Sequence, residues 1–226
     1  VDPALRLKYL EAMGVPVWIR REPETDGGDE GSRENDVEAL WLQLEEEIAR
    51  CTRCSLHRTR THVVPGVGNH YAEWMLIGEA PGEQEDLKGE PFVGRAGQLL
   101  TEMLRALGLD REQVFITNVL KCRPPGNRDP KPDEVVACEP FLMRQIALIR
   151  PRIILAVGRI AAQNLLKTTT PLGRLRGRVH RYDEIPLVVI YHPAYLLRNP
   201  AAKRQAWEDL KFAWRVYSEN RQGNHG

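Results

Sequence analysis

Trp74–Asp86 reads WMLIGEAPGEQED, an apolar run that passes straight into glycine, proline and carboxylates. A short continuous apolar run closed by turn-forming residues marks a strand buried on both faces. Three later stretches repeat the arrangement: Val114–Asn118 (VFITN), Ile153–Gly158 (IILAVG) and Leu187–Pro200 (LVVIYHPAYLLRNP). Helical patterns separate them. Leu99, Leu100, Met103, Leu104 and Leu107 share one face and are stopped by Gly108. Further helices are predicted from near Pro132-Asp133, from Gly158 through Leu166, and from about Ala201 to Tyr217. Strands alternating with helices predict the α/β class. The expected architecture is a three-layer α/β/α sandwich around a central four-stranded parallel sheet, built from Trp74–Ile77, Val114–Ile116, Ile153–Val157 and Leu187–Tyr191. Ligands of such sheets bind beyond the carboxyl ends of the strands. Glu79, Asn118 and His192, spread over more than a hundred residues, are therefore expected to meet in one pocket.

Outward from the sheet, the 226-residue chain has room for one large domain with an extension. Its net charge of +1 hides a segregation: residues 1–48 carry a net −8 and the remainder a net +9. A basic body suits an anionic partner such as nucleic acid, although an Arg-rich solvated surface gives the same count. Residues 1–20 read as a short helix and a turn, and Arg21–Asp36 as an acidic linker too polar to bury a core. From Val37 the apolar residues Val37, Leu40, Trp41, Leu44 and Ile48 fall at helical spacing. The domains are thus expected to be residues 1–36, an extension and linker, and residues 37–226, the functional body. No apolar run is long enough to span a bilayer and no signal-peptide pattern opens the chain, so a cytoplasmic location is expected.

Cysteine spacing narrows the chemistry. Cys51 and Cys54 form C-x2-C, and Cys122 and Cys138 follow far downstream with fifteen residues between them. A cytosolic setting disfavours disulfides. Four thiolates suit one shared metal centre tying distant loops together, and spacing alone does not separate zinc from an iron–sulfur cluster. A redox pair or unligated buried thiols are the other readings.

GEAPGEQED (Gly78–Asp86), PFVGRAGQLL (Pro91–Leu100), TNVLKCRPPGNRDP (Thr117–Pro130) and HPAYLLRNP (His192–Pro200), in this order with all four cysteines, closely resemble the family-4 uracil-DNA glycosylases over about Ala49–Pro200. The resemblance implies a uracil-DNA glycosylase-like fold. It also implies a [4Fe–4S] cluster on Cys51, Cys54, Cys122 and Cys138, and a monomer acting on uracil-containing DNA, single- or double-stranded. The implied reaction is hydrolysis of the uracil N-glycosidic bond after the base is flipped out of the helix.

On that basis Glu79, Ala80, Pro81, Phe92, Asn118 and His192 are the expected uracil-binding residues. Phe92 offers a stacking face, and Asn118 an amide to pair with uracil O4 and N3–H. His192 is expected to donate to O2 as charge develops there, as a neutral imidazole or an electrostatic stabiliser. Leu196, Leu197 and Arg198, with Tyr195, are the expected wedge entering the vacated stack and holding DNA. Each also has a structural reading: Phe92 as core, Asn118 or His192 as turn residues, and Leu196 or Leu197 packed under the last helix.

Two positions depart from the family-1 pattern. Ala80 stands where those relatives orient water with an Asp, and Gly82 where a Tyr excludes the thymine methyl. Glu79 is the expected water-orienting catalytic residue, with Glu85 and Asp86 as second candidates, and the Glu85 side chain is expected to bar thymine. No His lies between Asn118 and Cys138, so a covalent adduct with the sugar is not expected. No lysine is expected in the pocket to form a Schiff base, which points away from strand-cleaving lyase activity. Arg174, Arg176, Arg178 and Arg181 form either a phosphate-contacting strip or a solvated turn. The rival reading is a non-catalytic iron–sulfur or zinc nucleic-acid-binding module.

Overall fold

The computed structural model describes residues 30–222, with side chains from Val37 to Arg221. The predicted helix and turn over residues 1–20 fall outside them, as does most of the predicted linker. The contacts separate the chain at Asp36/Val37, and the sheet, the cleft and the cysteines all belong to Val37–Gly226. Helix α1 (Glu30–Ala49) begins inside the stretch read as linker.

The sheet has six strands rather than four: β1 (Val67–Gly68), β2 (Trp74–Gly78), β3 (Phe115–Asn118), β4 (Ile153–Val157), β5 (Val179–Tyr182) and β6 (Ile185–Ile190). Their order across the sheet is β1-β3-β2-β4-β6-β5. The inner four pair in parallel, and β1 and β5 add antiparallel edges. Both edges were invisible to a search for apolar runs. β1 is two residues long, and β5 alternates exposed and half-buried residues within an Arg-rich stretch. Short, charged edges of this kind discourage pairing with other chains.

The inner strands are buried along their whole length, and alternate residues serve two separate cores. Met75 and Ile77 point toward α1 and α4 (Pro132–Ile149), where Trp41, Leu44 and Phe141 meet them. Trp74 and Leu76 point toward α3 (Arg95–Ala106) and α8 (Lys203–Gln222), against Leu100, Leu104 and Leu210. Each such side chain, fully buried, contributes about 1.5–3 kcal/mol. The shorter helices α2 (Glu83–Lys88), α5 (Arg159–Leu165), α6 (Leu172–Leu175) and α7 (Pro193–Arg198) connect these layers.

Register decides where the site forms. Gly78 lies opposite Asn118, Ile77 opposite Ala156, and Val157 opposite Ile190, so the four parallel strands finish level with one another.

Candidate functional site

An open cleft of about 730 Å³ lies beyond those four carboxyl ends. Each strand supplies part of its wall: Glu79 after β2, Asn118 at the end of β3, Arg159 after β4, and His192 after β6. Thr117 and Asn118 are the last residues of β3 itself and do not follow it. Gly78 lets the pieces come together. A Cβ at Gly78 would stand 2.3 Å from Asn118 Oδ1 and 2.7 Å from Phe92 Cζ. Any side chain here would push the amide and the ring apart.

Phe92 adopts φ +53°, a left-handed conformation that costs a non-glycine residue energy and needs outside support. Glu85 supplies much of it. Its Oε1 accepts hydrogen bonds from the backbone N–H groups of Val93 and Gly94, both at 2.9 Å. Arg111 donates to the Pro91 carbonyl from the other side. Glu85 lines the cleft, yet this oxygen is occupied in shaping the Phe92 loop, and Oε2 lies toward Gly82. Its place is that of a loop clamp more than of a water-positioning base. Asp86 is buried and accepts from the Thr61 N–H, outside the cleft. It is no candidate for orienting water.

His192 caps α7, with Nδ1 accepting from the Ala194 N–H at 3.1 Å. Acceptance at Nδ1 leaves the proton of a neutral ring on Nε2, free to donate. Burial pushes the imidazole pKa down to about 4, the positive charge of Arg198 adds to this, and Glu85 opposes it. His192 is therefore neutral at physiological pH. Its ring lies 5.7 Å from that of Phe92, inclined by 32°. Gly158, at φ +93°, gives way on the far side, where a Cβ would meet His192 Cβ at 2.9 Å.

Glu79 is the opposite case. Burial raises its carboxyl to about 7, the charge of Asp129 adds to the rise, and Arg159 counters it. Asp129 and Arg159 pair with each other at 2.9 Å beside it. A carboxyl group held near neutrality inside a cleft is suited to taking up a proton. Asn118 is 2 % exposed, and among the described residues its side-chain amide has no hydrogen-bond partner. Donor and acceptor are both left for a ligand.

Ala80 and Pro81 line the cleft near Glu79. Leu196 does not: it is 1 % exposed and packs in the core with Leu100 and Ile190. The helical period of α7 turns it inward and leaves Leu197 and Arg198 exposed; Arg198 lines the cleft and Leu197 does not. Tyr195 is exposed too and stacks on Tyr191 at 5.0 Å. In the arginine strip, Arg176 is taken up by Asp209 at 2.6 Å and by the Tyr191 ring, while Arg174, Arg178 and Arg181 remain exposed.

Sequence reasoning missed Asp129 and Arg159. Arg159 stands two residues past the end of β4, so the strand-end argument applied to the other three strands would have found it. It also passed over Lys121, which lies within TNVLKCRPPGNRDP. Lys121 is buried beneath Asn118 and does not line the cleft. Burial draws its pKa down to about 7, against the pull of Cys138.

The four cysteines surround a narrow apolar cavity beside β3, closed by Ile48, Leu56 and Phe141. Among the described residues, no group of His, Cys, Asp and Glu is spaced to hold a single metal ion. Two donors point at the sulfurs: Arg60 toward Cys122 Sγ at 3.2 Å, and the Lys121 N–H toward Cys138 Sγ at 3.3 Å. Such bonds favour thiolates. Burial alone works the other way, raising Cys54 and Cys122 and taking Cys138 to about 11. An apolar chamber with four sulfurs and N–H donors around it fits a thiolate-bound metal group. Across the loop between Cys122 and Cys138, the fully buried carboxylate of Glu134 pairs with Arg128 at 2.5 Å and fixes the start of α4.

Residues 65–211 match the family model described as the uracil DNA glycosylase superfamily. The chain is 51% identical to the type-4 uracil-DNA glycosylase of Archaeoglobus fulgidus, over 73% of this chain and 87% of that protein. It is 47% identical to the type-4 uracil-DNA glycosylase of Sulfurisphaera tokodaii, over 75% of this chain and 81% of that protein. With the same enzyme of Saccharolobus solfataricus the identity is 46%, over 74% and 82% respectively.

Proposed function

This chain belongs to the uracil DNA glycosylase superfamily, and from that premise we propose the reaction of its cleft: hydrolysis of the bond between uracil and deoxyribose in DNA, leaving an abasic site. It is a uracil-DNA glycosylase, as the type-4 relatives are. The rival reading as a non-catalytic binding module has no support in those relatives. The observation that carries the mechanism is the Asn118 amide, without a hydrogen-bond partner among the described residues, sharing one cleft with Phe92 and a neutral His192 at the level ends of four strands.

A flipped uracil stacks on Phe92 and presents its edge to Asn118. The amide oxygen accepts from N3–H and the amide nitrogen donates to O4. Cytosine offers an amine where O4 would be and no proton on N3, so it leaves both amide groups mismatched. Buried polar groups left unpaired make such discrimination steep. As the N1–C1′ bond breaks, its electron pair goes to the base and spreads onto O2. His192 Nε2–H stabilises that charge without giving up its proton. Water adds to C1′ of the cationic sugar, and Glu79 takes the proton it loses. Glu79 serves only as the carboxylate, above a pKa of about 7, so turnover rises as pH rises through neutrality.

Leu197 and Arg198 hold the opened DNA at the rim, and the exposed arginines contact phosphates. Cys51, Cys54, Cys122 and Cys138 would hold a [4Fe–4S] cluster. Bound there, it would supply a rigid, thiolate-held anchor for the loop after β3, away from the cleft. Residues 37–226 form the catalytic body, and residues 1–36 an acidic extension of it.

Incubation with an oligonucleotide containing one uracil, followed by alkali, tests the reading. A strand break at the uracil, with free uracil released and no protein–DNA band on a denaturing gel, is expected. Salt-sensitive binding with no break would overturn it.

A further inference from the structure

The most isolated charge described is Lys121, 1 % exposed and lying between the cysteines and the cleft. Its Nζ meets three oxygens: Thr117 Oγ1 at 2.6 Å, the Asn118 carbonyl at 2.7 Å and Gln145 Oε1 at 2.7 Å. The roles of these oxygens are fixed from behind. The Thr117 hydroxyl donates to the Pro65 carbonyl at 2.7 Å, the nearer of the two acceptors in its reach, so its oxygen accepts from the lysine. Gln145 Nε2 donates to the same carbonyl at 2.8 Å, which turns its Oε1 toward Nζ. Three acceptors match the three N–H bonds of an ammonium, whereas a neutral amine would face one of these oxygens with its lone pair. These three oxygens fix the position of Nζ. Among the described residues no carboxylate pairs with it, and the adjacent ionisable group is Cys138, whose sulfur accepts from the Lys121 backbone N–H.

The location of this buried head group gives it a use. One of its three bonds holds the backbone of Asn118, whose side chain has no hydrogen-bond partner of its own among the described residues. We propose that Lys121 is a positioning residue: its Nζ clamps the Asn118 carbonyl, and with it the base-reading amide, to α4 through Gln145 and to the cysteine loop through its own backbone. The proposal rests on the reading of Asn118 as the uracil-reading residue. It joins the cysteine loop mechanically to the base-reading residue. The anchored loop begins four residues after Asn118, and Lys121 is the tie between them.

A double-mutant cycle in single-turnover assays tests this. Lys121→Met should lower uracil release by ~10- to 100-fold, the scale of a small misplacement of a binding group. Gln145→Leu, which leaves the lysine and removes one acceptor, should lower it less, and it serves if Lys121→Met does not fold. Neither change should add to the loss in an Asn118→Ala background, and visible absorbance of the cysteine site per chain should match the parent. Multiplying losses in that background would overturn the clamp, as would a Gln145→Leu variant with parental rate and parental discrimination against cytosine. Asn118→Ala at the parental rate would overturn the reading of Asn118 itself, a separate failure.

Discussion

β3 ends between two cavities built on opposite plans. On one side is the cleft, wide and open, whose polar groups are left short of partners: the Asn118 amide, a neutral His192 and a carboxyl with its pKa near 7 at Glu79. On the other is the cysteine chamber, narrow and apolar, with N–H donors already aimed at its sulfurs. A surface that receives a transient ligand keeps unmet hydrogen bonds and strain, as at Phe92. A surface that holds a permanent group completes its bonding around it. Changes in the cleft should therefore alter chemistry and leave stability nearly untouched, while changes at the cysteines should do the reverse.

The sharpest way to break this contrast is Glu79→Gln. It should lower turnover by ~10²- to 10⁴-fold with DNA binding held within about threefold. The parent enzyme should be about tenfold slower at pH 6 than at pH 8, because Glu79 is protonated below about 7. The variant should lose that slope. His192, with its pKa near 4, contributes nothing to it. Next, His192→Leu should cost ~10²- to 10³-fold in turnover without a change in unfolding temperature beyond a few degrees. A stability loss as large as the activity loss would make His192 a structural cap instead.

Cys138→Ser tests the other side. It should abolish absorbance near ~400 nm and lower Tm by at least about 5 °C. Equal absorbance, or zinc bound stoichiometrically to the parent protein, would remove the cluster from the account. The smallest effect is expected at the rim. Arg198→Ala should raise KM a few-fold and reduce the salt slope of DNA binding by about one.

Much of the cleft was legible because strand ends announce themselves. WMLIG, VFITN, IILAVG and LVVIYH are apolar runs with a polar or glycine terminus, and parallel pairing brings those termini level whatever lies between. What escaped were properties set by neighbours in space. Glu85 reads as one carboxylate among several, and only folding shows its oxygen engaged by Val93 and Gly94. Leu196 and Leu197 are identical in sequence terms, and the helical turn alone sends the first inward. β5 carries too little apolar surface to register as a strand, and Lys121 sat inside a quoted motif with nothing local to say it was buried.

The central claim is that the Asn118 amide identifies the base at the mouth of the sheet, and base release from two matched oligonucleotides tests it most directly. One carries uracil and the other cytosine at the same position. The account predicts free uracil from the first and at least ~10³-fold slower release from the second. Comparable release of both bases would contradict it.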